Sequence, residues 1–198
     1  MYQPRSFEHL LGLKGFSDQL LKNHFTLYQG YVNNTNRLGE ALSLLLKEGK
    51  TGTPEYAELK RRFGWEFNGM RLHEYYFGNM AKNGAELGKD SQLYRSISED
   101  FGSYEAWERD FKGTGVMRGI GWVVLYHDPY GGRLFNTWVN EHDLGHLSGA
   151  TPILVMDVFE HAYMTDYGLK RADYIESFFK AIDWKTAEER LLKSLAFK

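Results

Sequence analysis

Apolar residues recur at helical spacing in two long stretches near the start of the chain. Leu20, Leu21, His24, Tyr28, Tyr31 and Val32 fall on one face. Ser17-Asp18 just ahead of them reads as a helix start. The face continues through Leu38, Leu42 and Leu45, so the first helix should reach about Glu48 before Gly49, Gly52 and Pro54 break it. Phe63, Phe67, Met70, His73, Phe77 and Met80 then repeat every three or four residues and predict a second helix from Glu55 to about Met80. The short connection should make the two helices antiparallel. Asn83, Gly84 and Gly88 mark a boundary, dividing the chain into an N-terminal α-hairpin domain, residues 1–88, and a C-terminal α/β domain, residues 89–198.

Beyond that boundary the pattern is helical from Ser91 to Asp100 and from Tyr104 to about Met117. The period then changes. Trp122-Val-Val-Leu-Tyr126 and Leu134-Phe-Asn-Thr-Trp-Val139 are rich in β-formers, and Asp128-Pro-Tyr-Gly-Gly132 between them signals a hairpin. Ile153-Leu-Val-Met156 predicts a third strand that runs directly into Asp157. Two helices should close the chain, about Ala172 to Ile182 and Lys185 to Leu195. The expected fold class is α+β: a long antiparallel α-hairpin, then a three-stranded antiparallel sheet flanked by helices.

Composition changes the picture mainly by exclusion. A length of 198 residues with 42% hydrophobic and 16% aromatic content supports a globular core. The formal net charge of −2 gives no reason to expect a nucleic acid or a membrane surface as partner. An anionic substrate would have to be drawn by a local field, for which Lys170 and Arg171 are candidates, though ordinary surface charge explains them equally well. With no cysteine there are no disulfides and no thiol chemistry. No signal peptide is evident and no apolar run approaches the roughly 20 residues of a membrane span. A soluble, cytoplasmic protein is expected.

Chemistry concentrates in Asp157-Val-Phe-Glu-His161-Ala-Tyr163. A carboxylate and an imidazole four residues apart can reach one point in space, although a lone D-x-x-x-H arises easily by chance. The surrounding strings raise its weight. Phe101-Gly-Ser-Tyr-Glu-Ala-Trp107, Gly119-Ile-Gly-Trp122, Asp157-Val-Phe-Glu-His-Ala-Tyr163 and Ala172-Asp-Tyr-Ile175 resemble, in order and spacing, the iron/manganese superoxide dismutases. The matching segments run from Phe16 to Asn36, from Trp65 to Met80 and from Phe101 to Leu191, so the likeness covers about two thirds of the chain.

The resemblance implies a metal site of His24, His73, Asp157 and His161. Three nitrogens and one carboxylate oxygen form a borderline ligand set suited to one iron or manganese ion per chain. It also implies that His142 stands where the family places a Gln or His hydrogen-bonded to the metal-bound solvent. Gly69, at the alternative family position for that residue, would leave room for it. A His there favours iron, or tolerance of either metal, slightly over strict manganese use. Tyr31 would be the gateway residue, and Trp122, Phe77 and Phe159 the apolar wall. Glu160 would reach a partner's ligand histidine across the interface of a homodimer, with a homotetramer as the alternative.

Three departures from the family pattern stand out. One residue fewer separates His24 from Tyr31, which predicts a regular first helix without a bulge. Leu72 replaces an Asn just before His73. Met164 replaces a second Tyr whose His partner on the first helix is also missing, which predicts a rewired interface. His9, His127 and His146 match no ligand position and read as surface or structural residues.

The expected activity is conversion of superoxide to dioxygen and hydrogen peroxide at a mononuclear iron or manganese centre. The alternative is a structural or binding protein on the same fold with an inert or absent metal; the intact ligand quartet argues against it. A metal-dependent hydrolase is a third reading, disfavoured by the aromatic wall.

Overall fold

The computed structural model describes residues 1–196. The Ser17 hydroxyl accepts the Leu20 amide, and helix α1 (Asp18–Lys47) then runs without interruption. The short His24-to-Tyr31 spacing is therefore accommodated by regular helix, as expected. Pro54 opens helix α2 (Pro54–Gly78) as well as ending the connection: Thr53 caps it, and a proline in the first turn gives up no helical hydrogen bond. The two helices pair antiparallel, since His24 meets His73 near one end while Asn34 donates to Glu66 further along.

Helices α3 (Gln92–Phe101) and α4 (Tyr104–Gly115) follow, each with a serine cap. The sheet comprises β1 (Gly121–Asp128), β2 (Arg133–Asn140) and β3 (Thr151–Asp157), all antiparallel in the order β2-β1-β3. Central β1 is buried from Gly121 to His127, which explains its unbroken apolar run. Register places Trp122 between Val139 and Asp157, so the functional end of the sheet is set by strand pairing. Short α5 (Met164–Tyr167), α6 (Arg171–Ala181) and α7 (Trp184–Leu195) complete the chain. The sequence periodicity had no signature for α5 or for the single 3-10 turns at Glu8–Leu10 and Glu160–Ala162.

Strand β3 lies at a sheet edge, and side chains cover it. Asn79, just past α2, donates to the Val155 carbonyl and accepts the Val155 amide. Arg190 on α7 donates to Asn79, to the Ile153 carbonyl and to the Tyr75 carbonyl. The edge is thus closed to further strand pairing. One apolar cluster joins both halves, running from Leu20 and Val32 through Tyr76 and Trp107 to Val124 and Leu191. None of the described helices is long and apolar enough to cross a membrane.

Candidate metal centre

His24 projects from the buried face of α1 and His73 from that of α2. Asp157 ends β3. The Phe159 amide donates to its Oδ1 at 2.8 Å, an Asx-type turn that reverses the chain. The Glu160–Ala162 turn then brings His161 back over the carboxylate. The ligand atoms of the four residues all lie within 4.8 Å of one another. Three imidazole nitrogens converge on one oxygen: Nε2 of His24, His161 and His73 stand 3.1, 3.2 and 3.7 Å from Asp157 Oδ2. Two donors each about 2.1 Å from a shared cation lie about 3 Å apart at a right angle, so the spacing fits a common metal ion.

The donor chemistry fits as well. The Gly69 carbonyl can only accept, so His73 Nδ1–H donates to it at 2.6 Å and Nε2 carries the lone pair. That Nε2 is the one buried side-chain polar atom without a hydrogen-bond partner among the described residues. Such an orphan is costly unless something outside the protein satisfies it. Burial pushes the His24 and His73 imidazoles down, and it would push the Asp157 carboxyl up. The charge of His161 and hydrogen bonds from His161 and His24 outweigh burial at Asp157 and hold it well below the usual carboxylate range. Neutral His24 and His73 beside an ionised Asp157 are the protonation states a cation requires.

His142 lies beside this cluster, fully buried. The Trp122 indole N–H donates to its Nδ1 at 3.0 Å. An indole cannot accept, so the proton of the neutral ring sits on Nε2, which donates to the Tyr31 hydroxyl at 2.9 Å. Both His142 nitrogens are thereby occupied by protein groups, leaving the Tyr31 hydroxyl hydrogen for another acceptor. Burial pulls the His142 pKa down to about 4, which keeps the ring neutral. Burial, with the Asp157 charge adding to it, pushes the Tyr31 phenol well up. The Tyr31 ring stacks on His73 at 5.1 Å. It fills the space above Gly69, where a Cβ would lie 2.6 Å from the ring. Gly69 thus makes room for Tyr31 from α1, not for His142 from the sheet side.

The aromatic residues close the site. Trp122 stands edge-on to His73 at 5.0 Å, Phe77 edge-on to His24 at 4.8 Å, and Phe159 stacks on both His161 and His142. His161 is the most exposed of the four metal-site residues, its side chain 23% accessible, and Glu160 beside it is exposed. Met164 is also exposed. Arg171 donates to the Met117 and Gly119 carbonyls and to the Tyr163 hydroxyl, so it works as a clamp on a turn; Lys170 is exposed. Of the remaining histidines, His127 bonds Ser194 and His146 bonds Tyr126 and the His142 carbonyl.

Trp65 was not singled out in the sequence. Its ring stands 4.4 Å from His142 and 5.6 Å from Tyr31, with the Arg62 guanidinium over it at 3.8 Å. The signal was present: Trp65, Gly69, His73 and Phe77 recur every four residues and share one face of α2.

Residues 89–190 match the family model of the C-terminal domain of iron/manganese superoxide dismutases. The chain is 38% identical over 181 residues to "Superoxide dismutase [Mn]" of Haloarcula marismortui, covering 91% of this chain and 87% of that protein. It is 34% identical over 199 residues to "Superoxide dismutase [Fe]" of Aquifex aeolicus, covering 98% and 92%. A "Superoxide dismutase [Fe]" of Cupriavidus metallidurans is 36% identical over 183 residues, covering 90% and 89%.

Proposed function

The chain belongs to the iron/manganese superoxide dismutase family and converts superoxide to dioxygen and hydrogen peroxide; we propose that His24, His73, Asp157 and His161 hold its metal ion. The observation that carries this reading is the convergence of three imidazole Nε2 atoms on Asp157 Oδ2, with the His73 lone pair otherwise unpartnered. Iron or manganese held by these residues would supply the one-electron couple that the reaction needs.

The chain's own residues do the rest. With three imidazoles and a single carboxylate around it, a di- or trivalent ion would keep net positive charge, a local field that would draw an anion to a protein of near-zero net charge. Trp122, Phe77 and Phe159 keep bulk water out and strengthen that field. Tyr31 holds a proton at its hydroxyl, and its raised pKa keeps the proton there between turnovers. His142 Nε2–H donates to the same oxygen and orients it, while Trp122 fixes the His142 tautomer. Two superoxides and two protons give one dioxygen and one hydrogen peroxide.

The active form in this reading is a homodimer in which exposed Glu160 accepts from the Nδ1–H of His161 of the partner subunit, orienting the ring. His142 in place of an amide favours iron or use of either metal. Asp157→Ala should abolish metal retention and superoxide consumption while the protein stays folded, as followed by elemental analysis and circular dichroism. Retention of near one metal per chain in that variant would sink the assignment.

A further inference from the structure

His142 sits in a tight turn whose anchoring neither the four metal-site residues nor Tyr31 accounts for. The Asn140 amide donates to the Leu144 carbonyl at 2.7 Å, and the Leu144 amide donates back at 3.3 Å. Within the turn Glu141 has φ +48°, the single non-glycine residue with a positive φ among the described residues. A side chain with a Cβ adopts that conformation only where its surroundings over-determine it. They do so here: the Glu141 amide donates to the Ile120 carbonyl, and the Trp65 indole N–H donates to Glu141 Oε2 at 3.0 Å.

The other end of the turn is anchored by His146. Its Nε2 lies 2.9 Å from the His142 carbonyl, which can only accept, so Nε2 carries the proton. Its Nδ1 then accepts the Tyr126 hydroxyl at 2.7 Å. Gly145, at φ +103°, lets the turn lie against β2, where a Cβ would fall 2.4 Å from the Trp138 carbonyl oxygen. Trp65 grips the residue before His142 from α2, and His146 grips the carbonyl of His142 itself from the sheet side.

We infer that Trp65 and His146 are positioning residues for the reaction: together they hold His142 where Trp122 fixes its tautomer and Tyr31 receives its hydrogen bond. The inference rests on the metal-site reading above. Residues that act only through His142 have a signature that general structural residues lack. Their effects vanish once His142 is gone, because interacting sites are non-additive.

The test is a double-mutant cycle on protein loaded with iron, reading turnover, metal content, melting temperature and the dissociation constant of azide from the metal's absorption spectrum. His146→Ala and Trp65→Phe should each lower turnover on the order of tenfold with metal content kept. Each should also shift the azide dissociation constant. In a His142→Ala background either substitution should change both readouts less than about twofold. His146→Gln, whose amide still donates to the His142 carbonyl, should restore most of the turnover. If His146→Ala does not fold, Trp65→Phe and His146→Gln carry the cycle. Single effects that simply multiply with His142→Ala, or singles with no effect, overturn the inference alone. A wild-type protein inactive with either metal overturns the site reading first, and this inference falls with it.

Discussion

At the scale of single residues, His142 ties stability to chemistry. Burial holds its pKa down to about 4, whereas an imidazole in the unfolded chain titrates near 6.5. Between those values the unfolded state binds a proton that the folded state does not. The stabilising contribution is therefore complete above about pH 6.5 and is lost as pH falls towards 4. The loss is on the order of 3 kcal/mol at 1.36 kcal/mol per unit. Urea unfolding of wild type and His142→Gln should diverge by about that much over this window, wild type losing more; a constant difference would contradict the buried neutral ring. The same variant should keep its metal but alter the activity ratio of iron- and manganese-loaded protein.

The cluster of His24, His73, Asp157 and His161 was legible in the sequence because these residues stand in recognisable strings. The contacts that Trp65 and His146 make were not, although the spacing of Trp65 does place it on the His73 face of α2. Each makes its contact through a turn whose path depends on the left-handed backbone of Glu141, and no spacing rule encodes that. The room above Gly69 was legible, but its occupant was not, because a glycine shows space without saying which neighbour enters it.

At the scale of elements, the helices follow from periodicity plus capping. Ser17, Thr53, Ser91 and Ser103 each accept an amide of the first turn. The sheet follows from β-rich runs around the Asp128–Gly132 turn. What periodicity could not give is how the edge strand is covered. Asn79 sits in what reads as a helix end, yet its amide completes the β3 ladder at Val155. Asn79→Ala should therefore cost about 3 kcal/mol, since it leaves a buried amide and carbonyl unpaired together. Chemical denaturation would measure it, and a loss below about 1 kcal/mol would mean that water reaches the edge. The Glu160–Ala162 turn was equally illegible: it is set by the Asx-type contact of Asp157 with the Phe159 amide, not by a run of side chains.

At the scale of the whole molecule, the site spans the two halves of the sequence. His24 and His73 come from the α-hairpin, Asp157 and His161 from the sheet half, and a shared apolar cluster runs between them. In the dimer proposed above, the partly exposed His161 and the exposed Glu160 and Met164 would face the second copy of the chain. Light scattering should return twice the chain mass, and Glu160→Ala should weaken both association and turnover. A fully active monomer would remove the dimer from the account. The most direct test of its central claim is elemental analysis paired with superoxide-consumption assays on protein loaded separately with iron and with manganese. The account predicts near one metal per chain and rapid consumption with at least one of the two metals. A folded protein that binds neither metal, or binds them without consuming superoxide, would contradict it.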